Sequence, residues 1–378
     1  MAKISPDLDP SIWSKLPDEL LDYILCFLSL KSILNLRSTC KRFKSLLFNP
    51  SFLSKLYPSS SSSSSSSPFS SFLLLSHPHF NHHFPLYNSV SATWRESSAS
   101  PSLLNPCPSS SSSLLSSSNG LLCFHLQNLS TFLVSNLLSR SSTLIKSPRL
   151  SFTFELLTLV SSPNGFKIFV YSSESVFLYD STIRSWRNFG GFDSILNDNI
   201  HQEGVYRDGY LYFITSYPYS IVSFDLEKGV WGYPFAEMPT NELIFARIVI
   251  SDDREDGAGE RNKMYVIGGV GGNGISRCLK VWEFGGKNDD NNNWVEVESL
   301  PDLMYRKLVS VCYHNYEHIY CFWHNGMICI CCYSWPEILY YRVSRRTWHW
   351  LPKCPALPLK WSCGFRWFSF VPKLHASI

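Results

Sequence analysis

Apolar positions near the start of the chain recur at helical spacing. Leu20, Leu21, Ile24, Leu25 and Leu28 form one wide stripe, the pattern of a helix that buries a face. Pro17 suits the first turn of that helix, where its missing N–H costs nothing, and Asp18 and Glu19 complement the positive end of the helix dipole. Leu30-Lys-Ser opens a second helix, with Ser32 as its cap and Ile33, Leu34 and Leu36 as its apolar positions. A third apolar group, Cys40, Phe43, Leu46, Leu47 and Phe48, runs to a stop at Asn49-Pro50. From Phe72 onward helical periodicity gives way to alternation. Val176-Phe-Leu-Tyr, Tyr210-Leu-Tyr-Phe, Met264-Tyr-Val-Ile and His318-Ile-Tyr-Cys-Phe lie between clusters of Gly, Asn, Asp and Ser, and such runs read as short strands joined by turns. The second part of the chain is therefore expected to be all-β.

The change of pattern falls on a low-complexity segment. Pro58, the unbroken run Ser59–Ser67 and Pro68 offer nothing to bury and lose much entropy on ordering, so they read as a flexible tether. The expected organisation is a small all-α unit over residues 10–56, a serine-rich linker over 57–71 and a β domain over 72–372. A second serine patch, Ser109–Ser118, is interrupted by Leu114 and Leu115 and reads as a disordered loop inside the β domain.

The β domain repeats itself. An aromatic residue is followed by a polar turn and, seven positions on, by tryptophan: Tyr87 and Trp94, Tyr179 and Trp186, Phe224 and Trp231, Tyr341 and Trp348. Phe284 leads to Trp294 with three extra residues, absorbed by the run Asn288-Asp-Asp-Asn-Asn-Asn. Val134-Ser-Asn-Leu is a degenerate copy that has lost its Trp, the vacant position falling near residue 142. The repeat length is 44 to 63 residues, and the larger values carry polar insertions at Ser251–Lys263 and Gly285–Asn293. Four short strands per unit at this spacing make a β-propeller blade. Each blade has two apolar faces, so several must close into a ring before any is stable. Six copies predict six blades, with seven as the alternative. The terminal Cys363-Gly-Phe-Arg-Trp-Phe-Ser-Phe-Val-Pro is available to close the ring, and Trp94, Trp186, Trp231, Trp294 and Trp348 are expected to pack between blades.

The string Leu16-Pro-Asp-Glu-Leu-Leu-(x)2-Ile-Leu-(x)-Phe-Leu, then Leu36-Arg-Ser-Thr-Cys-Lys-Arg-Phe and Pro50-Ser-Phe-Leu, closely resembles the F-box over residues 12–53. The blades resemble the kelch repeat, whose signature is an apolar strand, Gly-Gly, an aromatic and then Trp. Gly268-Gly269 keeps the glycine pair in one blade, and Ser118-Asn-Gly-Leu-Leu-Cys resembles the blade opening of plant F-box/kelch-repeat proteins. The resemblance implies a kelch-type propeller and an N-terminal segment that docks on a Skp1-like adaptor and, through it, a cullin. It implies the substrate-recognition subunit of an SCF E3 ubiquitin ligase, with a target protein held by the propeller and no catalytic group of its own. A non-degradative adaptor that recruits a regulatory protein such as a transcription factor is the alternative. Leu16, Pro17, Leu20, Leu21, Ile24, Leu25, Leu28, Leu36, Cys40 and Phe43 are the candidates for forming or supporting the adaptor face. A unit of about 40 residues buries too little surface to be comfortable alone, so apolar positions on more than one side call for a partner.

Composition adds mainly exclusions. The 378 residues carry 33 basic and 30 acidic side chains, a net charge of +3, too balanced to point to nucleic acid or an anionic membrane. The N-terminus shows no secretory pattern and no apolar run is long enough to span a bilayer, so cytoplasm or nucleus is the expected location. The 12 cysteines are scattered through apolar runs and read as small hydrophobes rather than disulfides. Gly269-Val-Gly-Gly-Asn-Gly274 fits a dinucleotide-loop pattern, but a strand-like run rather than a helix follows it, so it reads as a hairpin turn. Cys329-Ile-Cys-Cys332 has zinc-like spacing, yet strand neighbours point to opposite faces. His77-Pro-His-Phe-Asn-His-His83 reads as a loop, Asp252-Asp-Arg-Glu-Asp256 as a solvated loop, and Arg184, Arg187, Arg345 and Arg346 as solvent-facing turn residues. No metal and no cofactor is expected. An oxidase reading, known for some kelch propellers, finds no evident copper-ligand set.

Overall fold

The polypeptide divides into two units, Met1–Phe69 and Ser70–Ile378. The computed structural model describes residues 16–28, 32, 35–36, 39–46, 49 and 52 of the first. Of the second it describes 71–378 apart from 81–83, 96–111, 140, 150–152, 173–174, 192–200, 233–235, 252–261, 286–293, 359 and 374–375. The tether Ser59–Ser67 lies outside the described residues.

In the first unit, helix α1 spans Asp18–Cys26 and helix α2 spans Lys41–Leu46. Pro17 stands one position earlier than its sequence suggests. It is the residue before the helix, extended at ψ 145, and its carbonyl accepts the N–H groups of Leu20 and Leu21 at 3.1 Å each. The start of α2 is capped by a thiol: Cys40 Sγ accepts the Phe43 N–H at 3.4 Å, taking the role that a hydroxyl usually fills. Ser32, expected as a cap, is itself helical, as are Asn35 and Leu36, while Ile33 and Leu34 lie outside the described residues. Leu25 and Phe52 are buried.

The second unit is a six-bladed propeller of six separate four-stranded antiparallel sheets. Five blades are sequential meanders, beginning with the strands Ser112–Ser118, Leu156–Ser162, Val205–Arg207, Leu243–Ile250 and Ile319–His324. The remaining blade, which holds Phe72–Ser76 and is counted first, so that the five meanders are the second to sixth, takes its innermost strand from the other end of the chain. Arg366–Phe370 pairs antiparallel with Phe72–Ser76, Phe72 facing Phe370 and Ser76 facing Arg366. That pairing closes the ring. The first strands of the blades meet around a central axis, and one apolar cluster fills the gap between each pair of neighbouring blades. Strand Met327–Cys332 shows how alternation builds this. Met327, Cys329 and Cys331 enter one cluster, and Ile328, Ile330 and Cys332 the other. Both faces of a blade are core, as the period-two rule requires.

The repeat seen in the sequence is a cross-strand pair. Tyr87 faces Trp94, Tyr179 faces Trp186, Phe224 faces Trp231, Phe284 faces Trp294 and Tyr341 faces Trp348, each joining the third and fourth strands of its blade. The polar residue after the aromatic makes the turn. Asn88 Oδ1 accepts the N–H groups of Val90 and Ser91, and Asp225 Oδ1 those of Glu227 and Lys228, the local side-chain turn that Asn and Asp favour. Asn136 does the same in the degenerate copy, which puts Ser135 rather than Val134 at the aromatic position and Ser142 opposite it. Ser142 thus stands where the spacing places the vacant Trp position.

Four of the tryptophans also reach across to the preceding blade or to the segment that leaves it. The indole N–H groups of Trp186, Trp231, Trp294 and Trp94 donate to the carbonyls of Lys146, Gly190, Glu237 and Pro352 at 2.9, 3.0, 2.7 and 3.0 Å. Trp348 instead packs in a cluster with Leu300 and Leu308. Trp186→Phe keeps most of the buried area and loses one hydrogen bond, so chemical denaturation should show a loss of about 1 kcal/mol.

Two expectations of the β half are corrected. Ser112–Ser118 is a strand, not a loop. Its short side chains suit the crowded axis. Ser116 Oγ accepts the Leu159 N–H at 3.0 Å and Ser118 Oγ the Ser161 N–H at 3.1 Å, joining two first strands that share no sheet. The half is also not purely β. Helix α3, Asp302–Cys312, links the fifth and sixth blades and buries Leu308, Val311 and Cys312. Its opening Leu300-Pro-Asp repeats the Leu16-Pro-Asp of α1, a start signal masked by the surrounding strands.

At the axis, three residues ahead of the fourth blade touch the first strands of all five others. Gln202 Nε2 donates to the carbonyls of Cys321 at 3.0 Å and Ile248 at 3.4 Å, while its Oε1 accepts the Cys321 N–H at 2.8 Å. Glu203 accepts from Ser116 Oγ and stands 3.7 Å from the Arg366 guanidinium. The Gly204 N–H donates to Thr158 Oγ1 at 2.9 Å. Neither composition nor periodicity marks this segment.

Candidate functional site

Helix α1 carries an apolar surface that its own unit does not cover. Leu20, Tyr23, Ile24 and Phe27 are 54%, 61%, 39% and 73% exposed, whereas Leu25 is 5% exposed. The exposed four stand at i, i+3, i+4 and i+7, which places them on one helix face. The Tyr23 and Phe27 rings meet edge to face at 5.0 Å, an arrangement that holds both rings up from the backbone as one aromatic ridge.

The candidates from the sequence separate by burial. Leu20 and Ile24 lie on the exposed face, and Pro17 and Cys40 are exposed beside the starts of α1 and α2. Leu16, Leu21, Leu28, Leu36 and Phe43 are half-buried and Leu25 is core. Tyr23 and Phe27 are absent from the adaptor-face candidates of the sequence, which follow the leucines, although Phe27 stands in the F-box string. The signal was present, since both complete the spacing begun by Leu20 and Ile24.

In the propeller, Gly268 and Gly269 lie in the second strand of the fifth blade, Met264–Gly272. A Cβ on Gly268 would fall 2.5 Å from Leu243 Cδ2, and one on Gly269 2.2 Å from Phe245 Cε1. The Phe245 ring in turn stacks on Tyr316 at 4.9 Å. The pair is thus kept small by side chains of the neighbouring strands of its own blade. Gly269→Ala should destabilise the propeller by about 1–3 kcal/mol, the usual range for overpacking, as read by urea titration.

The glycine-rich run ends in a hairpin between Met264–Gly272 and Ile275–Phe284, with Asn273 and Gly274 at φ 54 and 74, the left-handed pair of a two-residue turn. Cys329 and Cys332 enter clusters on opposite sides of their blade, so they do not converge on one ion. Among the described residues no group of His, Cys, Asp or Glu is arranged to hold a metal, and ten cysteines, from Cys40 to Cys363, are free. His77 is buried and stacks on Phe365 at 4.2 Å, while His82 and His83 lie outside the described residues, as does Asp252–Asp256. Arg187 is not a solvent-facing turn residue. It lies in strand Ser185–Gly190 and donates to the carbonyls of Glu227 at 3.1 Å and Leu226 at 3.3 Å in the next blade. No described helix is long and apolar enough to cross a membrane.

Comparison with known proteins places these features in a family. Residues 13–55 match the F-box domain, the segment that contains both α1 and α2. An F-box/kelch-repeat protein of Arabidopsis thaliana is 51% identical over 98% of this chain and 90% of its own length. ABERRANT PANICLE ORGANIZATION 1 of Oryza sativa subsp. japonica is 25% identical over 99% of this chain and 91% of its own. UNUSUAL FLORAL ORGANS of Arabidopsis thaliana is 24% identical over 92% and 80%. With an F-box carrying an open apolar ridge at one end and a six-bladed propeller at the other, this chain belongs to the plant F-box/kelch-repeat family.

Proposed function

We propose that the protein is the substrate-recognition subunit of an SCF-type E3 ubiquitin ligase. Helix α1 docks on a Skp1-like adaptor, which joins the chain to a cullin, and the propeller presents its loops to a target protein. The observation that carries this reading is the stripe Leu20, Tyr23, Ile24 and Phe27, apolar and exposed within the F-box. A helix with anchors at this spacing is the form recognised by an apolar groove. Leu16, Pro17, Leu36, Cys40 and Phe43 support that face by fixing the ends of the helices.

The work of such a subunit is positional. Holding adaptor and target together raises the effective concentration of the target's lysines beside the ubiquitin-charged enzyme, and the transfer itself belongs to that enzyme. The expected setting is the cytoplasm or nucleus. Affinity purification of the full chain should recover a Skp1-like protein and a cullin, and the propeller without residues 1–69 should recover neither. Loss of the cullin alone, with a target that keeps its abundance after proteasome inhibition, would favour the non-degradative adaptor.

A further inference from the structure

The propeller axis contains a cavity of about 220 Å³ lined by Ser117, Ser118, His201, Glu203, Tyr206 and Arg366 among others. It is smaller than the roughly 300–1,000 Å³ of sites for drug-sized ligands, which restricts an occupant to a small molecule or a single side chain. Its one pair of charged lining residues, Arg366 and Glu203, is loosely matched. Arg366 is mostly buried, yet its guanidinium makes no hydrogen bond to a described residue; it stands 3.7 Å from Glu203 and over the Phe368 ring at 5.3 Å. Glu203 is a weak counter-charge, because burial pushes its carboxyl up to about 7 against the pull of Arg366 and of the Ser116 hydroxyl. His201 adds none. Burial first, then Arg366, His318 and Arg247, hold its imidazole down to about 3, so it is neutral, stacked on Tyr333 at 4.1 Å. Arg247 is wholly buried in the fifth blade, with carbonyl partners at Ile319, Ala246 and Tyr316. Cys123 also feels the Glu203 charge, and burial raises its thiol far above neutrality. Among the described residues lining the cavity, Arg366 therefore faces one carboxylate, Glu203, whose charged form burial disfavours.

We propose that the axial cavity is a binding site for a carboxylate, gripped by the Arg366 fork, carried either on a small free molecule or on an acidic side chain of a bound peptide. A planar guanidinium with open donors matches a planar carboxylate in two parallel hydrogen bonds. Glu203 is then the competitor for Arg366, and its protonation releases the fork to the ligand. The ligand's own carboxylate stays ionised between pH 6 and 8, so affinity rises as pH falls over that range. If binding shifts the Glu203 equilibrium by about one pKa unit, affinity changes about tenfold.

The site is independent of adaptor docking, and full-length protein alone suffices to test it. Ligand-observed NMR titrations would use butyrate against butyramide, and acetyl-Gly-Glu-Gly-amide against its Gln counterpart. The acids should bind at least tenfold more tightly than the amides, and about tenfold more tightly at pH 6 than at pH 8. Glu203→Gln should keep binding and flatten the pH profile, and Arg366→Gln should lose it. Because Arg366 lies in the ring-closing strand, the wild-type pH profile and the Glu203→Gln variant stand as tests even if that variant fails to fold. Tighter binding of the peptide assigns the carboxylate to a protein partner, and tighter binding of butyrate to a free molecule. Equal binding of acids and amides, or an unchanged pH profile in Glu203→Gln, would overturn the proposal.

Discussion

Replacing Ile24 and Phe27 together by aspartate is expected to abolish capture of a Skp1-like adaptor while leaving the propeller's melting transition unchanged. Both side chains lie on the open face of α1, Ile24 39% and Phe27 73% exposed, so their loss removes little from the unit's own core. Anchors of an interface cost about 2 kcal/mol or more each when truncated, and a carboxylate buried without a partner adds a further penalty. Affinity should therefore fall at least a hundredfold, measured by pull-down and by calorimetry with a purified adaptor. Leu25→Ala is the contrasting control. Leu25 is core, so this change should lower the stability of the F-box itself, visible as lost helical signal. Full capture by a folded Ile24→Asp, Phe27→Asp protein would mean that α1 is not the docking face.

Gln202→Ala should destabilise the propeller more than the lost side-chain volume suggests. Its amide pairs with both the N–H and the carbonyl of Cys321 at 2.8 and 3.0 Å, in a buried setting. Truncation leaves a buried donor and a buried acceptor without partners, at about 3 kcal/mol in all. For a domain of this size that corresponds to a fall in Tm of about 5–10 °C. Gln202→Glu keeps the carbonyl-type acceptor but replaces the amide donor by a charge, and should cost at least as much. A melting temperature within a degree of wild type for both variants would show that the axial contacts are dispensable and that the inter-blade clusters alone hold the ring.

Much of this architecture was legible in the one-dimensional pattern. The stripe of leucines after Leu16-Pro17 marks α1, because helical spacing and an N-terminal proline are local properties. The seven-residue interval from aromatic to Trp marks the blades, because it is the span of a hairpin whose ends face each other, as Tyr179 faces Trp186. The terminal Arg366–Phe370 was visible as an unpaired strand, and a ring of blades needs one to close. Where the pattern misled, a neighbour had overridden it. Ser112–Ser118 has the composition of a loop, yet each first strand is fixed by the strands around the axis rather than by its own propensity. The sequence alone determined the helical stripe and the repeat with its six copies, while the six sheets of the structure settled six blades over seven. Only the tertiary structure decided that Tyr23 and Phe27 stand open while Leu25 is sealed, and that the neighbours Gln202 and Glu203 meet Cys321 and Arg366, more than a hundred residues on, at one axis. Periodicity reports which face a residue takes, whereas burial and convergence depend on partners distant in the chain that no local spacing encodes.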